Sequence, residues 1–187
     1  MRTSPATRRD ERTRVMGRRD LRQVLRIEAD SFRYPWSEQD FVEHLEAPSS
    51  VALVLEECGL VVGYVVFGVD SQWADLHACV VCQAYRRRGA ATRMVANVVR
   101  RTADYLLGIR TKVAERNVAA QMFFRHCGFR AVRILPSYLL NDEDAYLMEL
   151  TPPGRTDVHH SDLDVSGEDL VRLWEIKHCG PGVPLGR

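Results

Sequence analysis

Apolar positions along the chain recur with two periods, and each change of period marks an element boundary. Residues 1–11 are polar and basic and are expected to be disordered. Residues 12–16 can form a first strand. Leu21, Val24, Leu25, Ala29 and Phe32 then recur at helical spacing, with Asp20 as the candidate cap and Pro35 as the stop. Ser37 opens a second, shorter helix. Asp40 follows three residues on, a capping box with aspartate in place of glutamate or glutamine, and Phe41 and Leu45 supply the inner face. Strands are expected at 51–56 and 60–69, joined tightly through Glu57-Cys58-Gly59, with a turn at 70–73.

The stretch 76–107 organises the rest. An apolar run at 76–81 reads as a buried strand, and a loop with Arg86, Arg87 and Arg88 follows. A helix then begins at Gly89, Ala90 and Ala91. It carries Met94, Val95, Val98, Val99 and Leu106 on one side, with Gly108 closing it. Strand, basic small-residue loop and helix together form an anion site, because first-turn N–H groups have no partner within the helix and the helix dipole is positive there. The spacing matches neither GxxxxGK[ST] nor GxGxxG. Downstream, a strand at 109–113 leads to a helix at 117–127 with Ala120, Phe123, Phe124 and Cys127 on one face, and Gly128 stops it. Strands at 129–135 and 145–150 flank a loop at 136–142. Pro152-Pro153 ends the domain, and 152–187 forms a polar tail with a candidate helix at 168–178.

Composition narrows the class. The 187 residues suit one domain, and 45% apolar with 27% charged residues is ordinary globular usage. A net charge of +1, and basic N-terminal residues without interleaved aromatics, argue against a nucleic-acid partner. No apolar run nears the ~20 residues that span a bilayer, so no membrane partner is expected. Basic N-terminal residues without an apolar core are not a secretory signal. Five scattered cysteines point to a reducing cytoplasm. Cys79-x-x-Cys82 with His77 nearby has zinc-knuckle spacing, but no second pair completes four ligands, and no metal is expected.

Arg86-x-x-Gly89-x-Ala91 resembles the R/Q-x-x-G-x-G/A loop of the GNAT N-acetyltransferases. Arg116-Asn117-Val118-Ala119-Ala120, with Phe124 and Gly128-Phe129, resembles that family's N-x-x-A…Y…GF segment. Tyr34-Pro35-Trp36-Ser37 and Glu143-Asp144-Ala145 are similar to the ribosomal-protein-alanine (RimI) branch. The resemblance spans about 12–151. It implies an α/β (α+β) fold, with a mixed sheet of about seven strands flanked by four helices, and acetyl-coenzyme A as co-substrate. It further implies that backbone groups of Cys79, Val80 and Val81 hold the pantetheine arm, and that the segment Arg86, Arg87, Arg88, Gly89, Ala90, Ala91 and Thr92 holds the pyrophosphate. Asn117 would touch the cofactor, cap its helix, or do both.

The chain departs from the branch at two positions. Lys112 stands where a glutamate base is expected, and Phe124 where a tyrosine acid is expected. Asp75, in Ala74-Asp75-Leu76, resembles the base of the histone-acetyltransferase branch and is the first substitute. His77 is the second, having a suitable unperturbed pKa. Tyr138 is a candidate proton relay, and with Trp36 a candidate acceptor-binding residue. The leading expectation is acetyl transfer to a protein N-terminal α-amine or peptide. The alternatives are a lysine or small-molecule amine acceptor, and a non-catalytic acyl-coenzyme A binding module.

Overall fold

The computed structural model describes residues 11–70, 72–139 and 142–151. The expected disordered segment, apart from residue 11, and the tail with its candidate helix lie outside the described residues. In chain order the elements are β1 (Glu11–Val15), α1 (Leu21–Ala29), α2 (Glu38–Glu46), β2 (Ser50–Glu57), β3 (Leu60–Asp70), β4 (Trp73–Val81), α3 (Ala90–Thr102), β5 (Gly108–Ala114), α4 (Val118–His126), β6 (Arg130–Leu135) and β7 (Ala145–Leu150). The strands form one seven-stranded sheet in the order β1-β2-β3-β4-β5-β7-β6. All neighbours are antiparallel except β4 and β5, which run parallel with α3 as their crossover.

Both faces of the sheet are covered. Leu53, Val65, Phe67 and Leu76 pack with Val95 and Val98 of α3, and Phe124 of α4 joins this cluster. Ala52, Val54, Tyr64 and Val66 point the other way, onto Leu21 and Val24 of α1 and Phe41 of α2. Burial of alternate residues on two opposite faces explains why β2 and β3 read as continuous apolar runs.

Several boundaries differ from expectation. Residue 11 belongs to β1, paired with Glu57. The side chain of Asp20 makes no capping bond to α1. It accepts from the Gly17 N–H at 2.8 Å and from Arg14 at 2.7 and 2.8 Å. Helix α1 stops at Ala29, and Phe32 turns outward. Helix α3 ends at Thr102, and Leu106 reaches the core from the connection instead. β4 begins at Trp73, because Ala74 is buried in the core and residues 73–76 already pair with β5. Gly108 opens β5 and does not close α3. A Cβ there would lie 2.3 Å from the Leu150 carbonyl oxygen and 3.0 Å from the Trp73 ring. The capping box of α2 and the bounds of β7 are as expected.

Candidate active site

Pairing between β4 and β5 covers Trp73–Leu76 against Gly108–Thr111 and then stops. Beyond it β4 stays with β3, and β5 with β7. A bulge produces the divergence. Val66 of β3 opposes Ala78 and Phe67 opposes Leu76, leaving His77 as the extra residue. Such an insertion bends its strand and raises its twist. At the apex the Thr111 hydroxyl donates to the Leu76 carbonyl at 3.1 Å. The gap is a cleft of ≈ 160 Å³, bordered by His77, Ala78 and Cys79 on one side and by Lys112, Asn117 and Phe124 on the other. β4 has a strand neighbour on one side only past Leu76, so its outward amides and carbonyls open to the cleft. Cys79 is a neutral thiol there, with burial pushing its pKa up to about 12.

The strand then leads to the basic loop and α3. Gly89 is the N-cap of α3 with φ +76°, a left-handed conformation that favours glycine, and makes no side-chain capping bond. The first-turn N–H groups at Ala90, Ala91 and Thr92 therefore lack intrahelical acceptors. Arg87 also has positive φ, at 57°. The three arginines differ in their surroundings. Arg86 braces the loop, donating from Nε to the Val81 carbonyl and from Nη2 to the Ser31 hydroxyl, each at 2.9 Å. Arg88 lies 5.3 Å over the Tyr85 ring, and Arg87 is exposed. Arg93, one turn on, donates to the Arg88 carbonyl and to both oxygens of Glu11. Asn117 accepts from the Ala120 N–H at 3.1 Å, so it caps α4 while also lining the cleft.

In the paired part of the seam the expected base is engaged. Asp75 sits opposite Arg110 in the β4–β5 register and accepts from its Nε at 2.6 Å and its Nη2 at 2.7 Å. Arg110 also reaches Asp70 at 2.9 Å. The expected base is thus engaged by a bidentate guanidinium, with one hydrogen bond to each carboxylate oxygen.

His77 differs. Its residue surface is exposed, but its ring lies against neighbours: His44 is 5.2 Å away, and a Cβ on Gly68 would come within 2.8 Å of Nε2. Desolvation of the ring, with the nearby His44 and Lys112 charges, holds its pKa below the usual imidazole value despite the opposing pull of Asp75. That setting disfavours the charged imidazolium.

Lys112, on the β5 side of the cleft, has its Nζ 5.2 Å over the Tyr138 ring. Trp36 is half-buried, stacked on His44 at 4.8 Å and edge-on to Phe41 at 5.3 Å. Its backbone N–H donates to Glu28 Oε1 at 3.0 Å. Phe124 is buried against Phe123 and Phe129 and presents no proton to the cleft. Among the described residues no group of three or more His, Cys, Asp or Glu converges on a common point.

Three participants were not visible in the sequence as site residues. Glu28 is 3% exposed and accepts from the Tyr64 hydroxyl as well as from Trp36, tying the α1–α2 connection to β3. Its signal was present: it falls on the apolar face of α1, seven residues after Leu21. His44 had no sequence signal, because its partners Trp36 and His77 belong to separate elements. Arg110 becomes the partner of Asp75 only once the parallel register is known.

The chain belongs to the acetyltransferase (GNAT) family, whose model matches residues 21–129, and it is a GNAT-family N-acetyltransferase. It is 26% identical over 143 residues to an N-alpha-acetyltransferase of Sulfolobus acidocaldarius, spanning 69% of this chain and 85% of that one. The ribosomal-protein-S18-alanine N-acetyltransferase of Escherichia coli superposes with a TM-score of 0.69 at 20% identity, over 83% of this chain and 99% of that one. NAA60 of Arabidopsis thaliana in complex with acetyl-CoA gives 0.68 at 19%, over 76% and 99%. The seven-stranded mixed sheet with four helices is the fold that the sequence resemblance implied.

Proposed function

We propose that the protein transfers the acetyl group of acetyl-coenzyme A to the α-amine of a protein N-terminus. The observation that carries the choice of acceptor is that the described lining of the cleft holds Lys112 and no carboxylate, while Asp75, on the strand that leads to it, is paired with Arg110. A site without a strong base suits an amine that is already partly neutral. At pH 7.5 an α-amine with pKa near 8 is roughly one-quarter to one-third neutral, whereas a lysine with pKa near 10.4 is neutral in about one molecule per thousand. The name of the Sulfolobus relative supports the same acceptor.

In this reading the outward backbone groups of Cys79, Val80 and Val81 hold the pantetheine arm and polarise the thioester. The α3 N-terminus, with the charge of Arg87 and Arg88 beside it, holds the pyrophosphate. Asn117 touches the arm from the α4 side. Tyr138 and the α1–α2 connection carrying Trp36 border the acceptor. The amine attacks the acetyl carbon, the C–S bond breaks, and neutral His77 takes the amine proton directly or through water. Coenzyme A departs as a thiolate that takes a proton from solvent, since Phe124 has none to give.

The test is coenzyme A release with a free-N-terminus peptide, with the same peptide blocked, and with a blocked peptide containing lysine. Release is expected with the first alone, and His77→Ala is expected to lower kcat at least tenfold. Equal release with the blocked lysine peptide would overturn the α-amine assignment.

A further inference from the structure

Five described acids around the acceptor side of the cleft are engaged. Asp75 and Asp70 share Arg110. Glu28 is buried under Tyr64 and the Trp36 N–H. Glu143 accepts from the Arg116 N–H at 3.2 Å, and Asp144 from the Ser137 N–H at 2.9 Å. Lys112 has no carboxylate partner among the described residues. It lines the cleft on β5, and its ammonium rests on Tyr138, a residue 49% exposed at the rim. His77 and His44 stand across from it, and Arg33 lies exposed on the α1–α2 connection over Tyr34.

We infer that Lys112 is a specificity-determining residue that selects acceptors carrying a carboxylate side chain in the first two residues; this rests on the N-terminal acceptor proposed above. The Tyr138 ring favours a position of the ammonium at the rim of the cleft, so a carboxylate arriving beside the reacting amine meets a positive charge. A lysine or arginine side chain arriving there meets like charge. Attraction of this kind at a partly exposed site is screened by salt. The same cation disfavours protonation of the bound amine, which assists a site without a free carboxylate base.

The experiment measures kcat/KM for free-N-terminus peptides that differ only at residues one and two: Asp, Glu, Asn, Gln, Ala and Lys. Wild type, Lys112→Gln and Lys112→Glu are compared, and thermal melts verify folding of both variants. The expected result is at least a tenfold preference of wild type for Asp over Asn and Glu over Gln. That preference shrinks in 0.5 M NaCl, falls to near one in Lys112→Gln and inverts in Lys112→Glu. An acid-to-amide ratio near one in wild type, or an unchanged ratio in Lys112→Glu, overturns the inference. A blocked series with the same residues flanking a lysine runs alongside. If only that series reacts, the N-terminal reading fails, and the acid-to-amide ratios measured in it still decide the role of Lys112.

Discussion

At the scale of the residue, Asp75 shows how position and availability separate. It lies on the strand beside the cleft, yet Arg110 occupies both of its oxygens. The pair is only partly buried, with 14% of the Asp75 side chain and 25% of the Arg110 side chain exposed, so solvent screens it. Asp75→Asn is therefore expected to cost about 1 kcal/mol of stability, or about 2–4 °C in Tm for a chain of this size, while kcat stays within threefold of wild type. Calorimetry and steady-state kinetics on one preparation check this. A tenfold fall in kcat with an unchanged melt would return Asp75 to the role of base. His77 shows the reverse case: its chemistry was legible from residue type, but its neighbour His44 and its place at the bulge were not.

At the scale of the element, periodicity located the four α-helices and seven strands of the described residues, because each buries a defined face. It overran the ends of α1 and α3, since Phe32 and Leu106 continue the apolar spacing after the backbone has left the helix. It missed the start of β4, because Trp73-Ala74-Asp75 mixes apolar and charged residues in a segment whose partners, β3 and β5, were not yet placed. The loop before α3 was read as a glycine-dependent helix start, and the structure adds the reason. Gly89 is left-handed, and a Cβ would approach Arg93 Nη1 to 3.0 Å. The arginine tip can yield, but the φ cannot change without moving the first turn. Gly89→Ala is expected to cost about 1 kcal/mol in stability and to raise the Kd for acetyl-coenzyme A at least fivefold, as read by isothermal titration. An unchanged Kd would remove the α3 N-terminus from the pyrophosphate site.

At the scale of the whole molecule, α2 is tied to the central strands through aromatic and imidazole rings. Trp36, His44 and His77 lie ring against ring across α2 and β4. Burial is the leading cause that lowers the pKa of both histidines from 6.5. The sign follows from linkage. The unfolded chain takes up protons as pH falls through about 6.5, the folded chain does so only at lower pH, and the fold loses stability across that interval. The urea midpoint is expected to hold steady above pH 7 and to drop as pH falls below 6.5. A His44→Ala, His77→Ala double variant is expected to flatten that drop. A midpoint that rises on acidification would contradict it.

The four-residue seam between β4 and β5 has a consequence for the order of assembly. Strands β1 to β4 join through neighbours in the sheet and mostly short connections, whereas β5 finds β4 across the whole of α3. Local pairings close cheaply, and the seam comes at a larger loop-closure cost. The chain can thus build its first four strands into a sheet before any cleft exists. Competence to hold a ligand between β4 and β5 then requires that seam to have closed, so cofactor binding during refolding serves as a clock for its closure.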